Sequence, residues 1–294
     1  MKTALYAMRP IRLDELVGQA ALLTRVDRKY LLSVSDLPVL LHNLGTASQA
    51  LEIDARREFA YRSLYFDTPE LDAYLATVRR RRRRFKVRIR SYLDSDQHFL
   101  EVKTRGVRGA TVKHRVPHCG HGLDTRACAH ISTVLTRAGM PGDRSRLGWA
   151  LVNTYRRATL YVPDIGGRVT IDTDLAWALP YGPGIAVPHL AVIETKSPGA
   201  PGEIDRLLWS LGHRPCGVSK FGIGMAVLRP ELPANRWLRV VRRHFTAADT
   251  RASWEPVGGS GDYAKSFTVY VGGSGDTRGG HHGLSRTVST EADG

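Results

Sequence analysis

Lysine and arginine alternate with apolar residues in the middle of the chain, at residues 85–90. Successive side chains of a β-strand point to opposite faces, so Lys86, Arg88 and Arg90 would share one face and the apolar residues the other. Ammonium and guanidinium groups donate charge-assisted hydrogen bonds to phosphate oxygens, and the planar guanidinium can do so with two donors at once. The pattern therefore predicts a strand that offers one whole face to an anion.

Two further runs, residues 99–103 and 111–115, repeat this alternation. The charged residues on their shared faces are Glu101, Lys103, Lys113 and Arg115. A solvated outer face usually mixes charges of both signs, whereas this one is cationic except for Glu101. We interpret the three neighbouring strands as part of a closed, water-filled barrel that grips a polyanion. Glu101 is either a metal ligand or a salt-bridge partner of Lys103 and its neighbours, and the sequence leaves both roles open.

The composition of the chain also indicates an anionic partner. Its 294 residues include 43 Lys and Arg against 28 Asp and Glu, which gives a formal net charge of +15 and a pI near 10.1. Such an excess is typical of proteins that bind nucleic acid, polyphosphate, nucleotides or an anionic membrane surface. The hydrophobic content of 42% is ordinary for a globular protein, and the length allows one large domain or two small ones.

Three cysteines, Cys119, Cys128 and Cys216, are scattered along the chain. Their odd number and spacing argue against a disulfide framework and fit a reducing compartment. No apolar stretch approaches the ~20 residues that span a bilayer, and the first residues lack the apolar core and cleavage site of a signal peptide. We expect a cytoplasmic protein, with a membrane-protein partner left open.

Hydrophobic periodicity predicts a succession of strands with short helices among them. The predicted strands are residues 26–32, 58–66, 85–90, 99–103, 111–115, 153–162, 167–175 and 190–196. An amphipathic helical lead-in is predicted at residues 1 to about 25, and further helices at residues 37–41, 70–78, 125–138 and 203–211. From about residue 247 the chain is rich in Gly, Ser, Thr and Asp, a composition that predicts flexibility, although residues 266–271 could pair as an edge strand.

The first and later predicted strands carry charged residues of matching parity. The residues that share a face are Asp27 and Lys29, then Tyr155, Arg157 and Thr159, then Arg168, Thr170 and Asp172, and then Val192, Glu194 and Lys196. We expect Asp172 and Asp174 to orient arginines rather than to bind a metal.

Other charged groups have simpler explanations. The arginines at residues 79–84 are typical of a solvated basic patch or a nucleic-acid contact, and the first four would lie at or outside the mouth of a barrel. A zinc site formed by His114, His118, Cys119 and His121 is disfavoured, because the spacing matches no standard ligand pattern. No Walker loop or dinucleotide-binding fingerprint is present, so the sequence does not support P-loop chemistry.

Nine short stretches, taken in order, resemble the VTC domain of inorganic polyphosphate polymerases, a branch of the CYTH or triphosphate tunnel metalloenzyme superfamily. The stretches are residues 27–30, 63–68, 86–90, 100–103, 113–115, 155–157, 168–172, 193–196 and 219–221. Each stretch alone is a weak signal, but nine in the family's order are specific.

The resemblance implies an α+β fold, namely a closed, antiparallel, eight-stranded β-barrel with flanking helices that is called the triphosphate tunnel. It implies a tunnel domain at residues 25–232 and leaves two segments unmatched. Their residue types predict a helical lead-in at residues 1–24 and a largely flexible extension at 233–294. The implied enzyme transfers the terminal phosphoryl group of ATP, or another nucleoside triphosphate, to a growing polyphosphate chain. Its cofactor would be Mn²⁺ or Mg²⁺, and it would have no specific nucleic-acid partner.

The resemblance also implies roles for individual residues. The phosphate-binding residues would be Lys29, Lys86, Arg88, Arg90, Lys103, Lys113, Arg115, Arg157, Arg168, Lys196 and Lys220. The residues that act in catalysis would be Arg88, Arg90, Lys103, Arg157, Arg168, Ser219 and Lys220. Glu194 would hold the metal, and Glu101 is the second candidate ligand.

This chain departs from the family pattern in two places. Asp27 stands where the family usually has Glu, which puts its metal role in doubt, and residues 216–218 lack the extra lysine of eukaryotic members. No stretch resembles the SPX or membrane modules of those members, so we expect a stand-alone, bacterial-type form.

Two alternatives to a polymerase remain, namely a triphosphate hydrolase on the same tunnel and a non-catalytic polyphosphate-binding module. The Glu-x-Glu-x-Lys opening of the hydrolases is absent, which favours the polymerase. Glu194 and the pair Ser219 and Lys220 argue against a non-catalytic module.

Overall fold

The computed structural model describes residues 1–19, 26–44, 47–105, 111–140, 146–163, 167–197 and 199–245, and the backbone of three short strands beyond them. In this part of the chain the α-helices are α1 (Lys2–Ala7), α2 (Leu13–Gln19), α3 (Leu37–His42), α4 (Asp72–Val78), α5 (Thr125–Arg137), α6 (Glu203–Ser210), α7 (Lys220–Leu228) and α8 (Leu238–His244). No described helix is long and apolar enough to cross a membrane.

The strands lie in a large, mainly antiparallel sheet. They are β1 (Arg9–Ile11), β2 (Val26–Ser33), β3 (Gln49–Leu51), β4 (Phe59–Asp67), β5 (Arg84–Tyr92), β6 (Gln97–Arg105), β7 (Thr111–His118), β8 (Gly148–Val162), β9 (Gly167–Ala178), β10 (Pro183–Val187), β11 (Leu190–Ser197), β12 (Thr250–Trp254), β13 (Phe267–Val269) and β14 (Arg286–Thr287). All eight strands predicted from the alternation are present. The strand predicted in the tail corresponds to β13, but its predicted edge position is wrong, because β13 pairs with β12 on one side and with β14 on the other.

The α+β class with a large antiparallel sheet is thereby confirmed. Closure of the sheet into a barrel is not confirmed, because several strands have a partner on one side only among the described residues. β7 pairs only with β6, and β2 pairs only with β11.

The chain folds into two compact units. Unit 1 comprises Met1–Tyr61, Tyr155–Leu175 and Pro188–Val218. Unit 2 comprises Arg62–Thr154, Ala176–Val187 and Ser219–Gly294.

In unit 1, β11 lies between β2 and β9 and pairs antiparallel with both strands. The register places Glu194 opposite Lys29 on one side and opposite Thr170 on the other, and places Lys196 opposite Arg168. Alternate residues of these strands pack with α1, α3 and α6 into an apolar core. The strands therefore expose their charged residues on the face away from that core.

A buried carboxylate fastens α6 to β2 and β11. Asp205 is fully buried and accepts hydrogen bonds from the Tyr30 hydroxyl at 2.7 Å, the Thr195 hydroxyl at 2.7 Å and the Gly202 N–H at 3.0 Å. Burial and the bond to Asp205 raise the pKa of Tyr30, so this hydroxyl remains a donor. The network holds the two strands whose other face carries Lys29 and Glu194.

In unit 2, β6 lies between β5 and β7, again with antiparallel pairing on both sides. The register forms cross-strand rows of Arg84, Arg105 and Thr111, of Lys86, Lys103 and Lys113, and of Arg88, Glu101 and Arg115. The alternate, apolar residues of β5 and β6 pack against α5. Each row therefore projects from the face opposite this core.

Helix α7 was not predicted from the sequence. It contains two glycines in nine residues and is apolar on all sides, so it shows neither high helix propensity nor an amphipathic period. Both glycines are needed for close packing. A Cβ atom at Gly222 would lie 2.2 Å from the Trp237 ring, and one at Gly224 would lie 2.4 Å from the Trp177 ring.

Candidate functional site: two cationic clusters

Glu101 is the centre of a cationic cluster in unit 2, which we call the Glu101 cluster. Its side chain is fully buried, and its two oxygens face three cations. Arg88 donates to Oε2 from Nε at 2.8 Å and from Nη2 at 2.5 Å. Lys113 Nζ donates to Oε1 at 3.1 Å, and Arg90 Nη1 lies 3.8 Å from the same oxygen.

This geometry keeps Glu101 ionised. Burial alone would raise the pKa of Glu101, but Arg88, Arg90 and Lys113 together outweigh burial and hold the pKa well below its usual range. Of the two roles that the sequence left open, these contacts are those of a salt-bridge partner. The carboxylate holds three cations in place on one face of the sheet.

The Arg88 guanidinium also contacts β4. Its Nη1 donates to the Tyr65 hydroxyl at 3.2 Å, and the guanidinium carbon lies 5.8 Å from the centroid of the Tyr65 ring. The Tyr65 ring in turn stacks on Phe221 of α7. Tyr65 is not among the site residues predicted from the sequence. The alternation of β4 could have indicated this contact, because it places Tyr61, Ser63 and Tyr65 on one face of the strand.

Lys86 lies one row along the same face and contacts the start of α7. Its Nζ donates to Ser219 Oγ at 2.6 Å, and the same oxygen accepts the Gly222 N–H at 3.2 Å as the N-cap of the helix. Lys220 is the first residue of α7, and its carbonyl accepts the Trp177 indole N–H at 2.9 Å. Lys103 is half-buried in the row of Lys86.

Arg115 lies opposite Glu101 in register but does not reach the carboxylate. Its guanidinium carbon lies 3.6 Å from the centroid of the Phe99 ring, and its Nη2 donates to the Tyr92 hydroxyl at 3.1 Å. The structure thus brings together Arg88, Arg90 and Lys113 around Glu101, and stacks Arg115 on an aromatic ring.

Glu194 is the centre of a second group in unit 1, which we call the Glu194 cluster. Lys29 Nζ lies 2.6 Å from Oε2, and Lys196 Nζ donates to Oε1 at 2.5 Å. The Glu194 side chain is 18% exposed, so solvent reaches it. Arg168, opposite Lys196 in register, is half-buried on the same face.

The two lysines also fix the ionisation of this cluster. Burial would raise the pKa of Glu194, but Lys29 and Lys196 outweigh burial and lower it well below its usual range. Burial lowers the pKa of Lys196 to about 8, although Glu194 acts in the opposite direction. The cluster therefore holds one ionised carboxylate and two ammonium groups, and Lys196 loses its proton at a lower pH than a solvated lysine does.

Arg157 is the most constrained of the predicted cations. Its Nε and Nη2 donate to the two oxygens of Asp172 at 2.6 and 2.8 Å, and its guanidinium carbon lies 5.3 Å from the ring centroids of both Tyr61 and Tyr155. The expectation that Asp172 orients an arginine is confirmed. Asp174 is exposed.

The donor set allows a test of the implied metal. No group of three His, Cys, Asp or Glu side chains that could hold an ion occurs among the described residues. Mn²⁺ and Mg²⁺ do not need such a group, because they are often bound by one or two carboxylates together with phosphate oxygens and water. Glu194 is an ionised, partly exposed carboxylate between two lysines, and it fits that role. Glu101 fits it less well, because three cations cover its oxygens.

The histidines weighed as zinc ligands have other contacts. His121 Nε2 lies 3.1 Å from Arg62 Nη2, and His118 Nε2 lies 2.7 Å from the Gly122 carbonyl oxygen.

Comparisons with known structures give distant similarities. A candidate adenylyl cyclase from Hippeastrum, described as having a dominant triphosphatase activity, is 19% identical, with a TM-score of 0.42 over 72% of this chain and 100% of its own. A candidate adenylate cyclase from Vibrio parahaemolyticus is 10% identical, with a TM-score of 0.38 over 67% of this chain and 94% of its own. A protein from Pyrococcus horikoshii is 10% identical, with a TM-score of 0.35 over 72% and 99%.

No curated protein matches the sequence of this chain. The model of the VTC domain family matches residues 24–137 and 142–229, which include every strand of the Glu101 and Glu194 clusters. Since this match covers well over half of the chain, the protein belongs to the VTC domain family.

Proposed function

We propose that the protein is a metal-dependent polyphosphate polymerase. It transfers the terminal phosphoryl group of a nucleoside triphosphate, with ATP as the first candidate, to the end of a growing polyphosphate chain. The closed tunnel of eight strands that the family resemblance implies is part of this proposal.

One observation carries the proposal, namely that cations outnumber carboxylates on the face that holds each cluster. Glu101 is shared by three cations, and Glu194 by two. Like charges held this close repel one another, so they favour a ligand that brings several negative charges in a short length. A triphosphate or a phosphate chain has that charge density.

The chemistry asks mainly for positioning and charge neutralisation, which such clusters can supply. A terminal oxygen of the growing chain forms a bond to the γ-phosphorus. The bond from that phosphorus to the β–γ bridging oxygen breaks, and the nucleoside diphosphate leaves with the electron pair. The chain gains one phosphoryl group, and no other reactant is needed.

The cations of each cluster would bind phosphate oxygens. Arg88, Arg90 and Lys113 would bind non-bridging oxygens while Glu101 keeps them oriented. Lys86 would lie at the start of α7, where Ser219 and Lys220 add a hydroxyl and a further cation.

Among the carboxylates, Glu194 is the best candidate for a metal ligand. It would hold Mn²⁺ or Mg²⁺ next to Lys29 and Lys196. A bound divalent ion would offset negative charge on the phosphate oxygens. Arg157, fixed by Asp172, would present a guanidinium whose direction does not depend on the substrate.

Incubation of the purified protein with ATP and Mn²⁺ tests the proposal, with products resolved by gel electrophoresis and phosphorus NMR. A ladder of long chains with release of ADP is the expected result. Free phosphate without chains would replace the polymerase with a triphosphate hydrolase. Tight polyphosphate binding without turnover would replace it with a binding module. Glu194→Gln is the matched variant and should form no ladder.

A further inference from the structure

The cationic face of unit 2 continues beyond the residues assigned to phosphate binding. On β5, Arg84 precedes Lys86 by two residues and has the same parity, and Arg105 lies opposite it on β6. These residues form the last row of a face that runs through Lys86 and Lys103 to Arg88. From Arg84 to Arg90, six steps along the strand cover about 20 Å.

Two more arginines, Arg80 and Arg236, both donate a hydrogen bond to one backbone carbonyl near this end of the face. Thr77 O, near the end of α4, accepts the Arg80 N–H at 3.2 Å and Arg236 Nη1 at 3.1 Å. We call Arg80, Arg84, Arg105 and Arg236 the arginine rim. Arg80 and Arg105 are exposed, and Arg84 and Arg236 are half-buried.

The rim has no carboxylate partner within the described part of the chain. No salt bridge involves any of the four arginines there. Burial, Arg105 and Arg236 lower the pKa of Arg84, while burial, Arg80 and Arg105 lower that of Arg236. The charged groups that act on Arg84 and Arg236 are therefore other arginines of the rim. This differs from the Glu101 cluster, where one carboxylate offsets the repulsion.

The backbone at the rim is also unfavourable for an arginine. Arg80 has a φ of 54°, in the left-handed region, directly after α4. Glycine adopts this conformation with less strain than any residue that has a Cβ atom. The chain thus places a cation where a small neutral residue would fit the backbone better.

We propose that the arginine rim binds the polyphosphate chain outside the reaction site, as a surface for phosphates beyond the three of the nucleotide. This inference rests on the proposed function. The rim continues the rows that bind phosphate, so one linear polyanion can follow β5 from Arg88 to Arg84. Proteins that bind single-stranded nucleic acid stack bases on aromatic side chains, and the aromatic residue next to Arg236, Trp237, is 1% exposed.

The test compares two lengths of inorganic phosphate chain on one triple variant, Arg84→Gln, Arg105→Gln and Arg236→Gln. We expect the affinity for long-chain polyphosphate to fall by ~10-fold or more, and the salt slope of binding to fall by about 2, at about 0.7 per lost contact. The affinity for tripolyphosphate should change by less than about twofold, because the clusters are intact. Circular dichroism and a thermal melt verify that the variant folds.

The matched control removes three positive charges at positions outside the rim. Arg12, Arg126 and Arg206 are exposed and lie outside the rim, and their triple change to Gln should leave long-chain affinity within about twofold. Equal losses of long-chain affinity in both triple variants would mean that net charge, and not the rim, determines binding. That result would overturn the inference.

Three other outcomes are distinguishable. Unchanged long-chain affinity in the rim variant, with the wild type still binding tripolyphosphate and consuming ATP, overturns the rim alone. Loss of oligonucleotide or anionic-vesicle binding with unchanged polyphosphate binding assigns the rim to nucleic acid or to a membrane surface. If the wild type binds neither tripolyphosphate nor long-chain polyphosphate, both the proposed function and the rim inference are wrong.

Discussion

Two carboxylates lie among cations in this protein, one in each unit, and their surroundings differ. Glu101 is fully buried, and both of its oxygens face arginine or lysine. Glu194 is 18% exposed and contacts two lysines. Arginine forms fixed, forked hydrogen bonds, whereas lysine is a flexible point charge.

The difference suggests separate tasks for the two residues. A buried carboxylate that fixes two guanidinium groups keeps cations in place before any substrate arrives, which lowers the cost of organising a binding site. A carboxylate held by lysines can change partners more easily when an ion and phosphates arrive. We therefore interpret Glu101 as an organiser of cations and Glu194 as the ion ligand.

The largest expected effect is the loss of stability in Glu101→Gln. Removing the carboxylate leaves Arg88 and Arg90, which are largely buried, with uncompensated charge, and breaking such a set costs about 3–5 kcal/mol. Lys113 is exposed and can turn to solvent. Glu194→Gln should cost clearly less, because its partners can turn to solvent. Urea unfolding at low anion concentration measures both changes. Equal losses would remove the distinction between the two carboxylates.

For turnover, we expect Glu194→Gln to have a larger effect than it has on stability. Glu194→Gln should lower metal-dependent turnover by about 100-fold or more, since each ~1.4 kcal/mol lost from the transition state is tenfold in rate. Binding of tripolyphosphate without metal should persist, because the cations remain. Initial rates and a direct binding titration separate the two quantities. Wild-type turnover in this variant would place the ion ligand elsewhere.

A smaller effect concerns nucleotide binding in the Glu101 cluster. Arg88→Ala should weaken ATP binding by about 1–3 kcal/mol, the range for a charge-assisted contact. Arg115→Ala is the control from the same row, because its guanidinium lies on the Phe99 ring instead of at Glu101. Calorimetric titration gives both values. If Arg115→Ala has the larger effect, the bound chain contacts the outer edge of the row.

The smallest expected effect is at the start of α7. Ser219→Ala removes the capping oxygen that accepts the Gly222 N–H, and it frees Lys86 from its hydroxyl contact. The loss of a cap costs ~1 kcal/mol of stability. Ser219→Asp should restore most of it, because its carboxylate can accept the same N–H. Thermal melts measure the pair, and a loss of stability in both variants would mean that packing, not the cap, is responsible.

Strand parity predicted much of the site. It placed Lys86, Arg88 and Arg90 on one face, because the period of a strand is two whatever its neighbours are. It also placed Glu194 with Lys196, and cross-strand register then added Lys29.

The remaining features depend on contacts between residues that are distant in sequence. Alternation could not decide that Glu101 would face three cations, since its partners come from two other strands. It could not bring Arg236 to the carbonyl of Thr77. The two glycines of α7 lowered its helix propensity, and only their packing on Trp237 and Trp177 explains them.

The most direct test of the two roles is a Mn²⁺ titration followed by electron paramagnetic resonance of the free ion, with sulfate, an anion that binds Mn²⁺ only weakly, present to support folding. Wild type and Glu101→Gln should both bind Mn²⁺, and Glu194→Gln should leave most of it free. Loss of Mn²⁺ in folded Glu101→Gln, with binding retained in Glu194→Gln, would reverse the assignment and contradict the account.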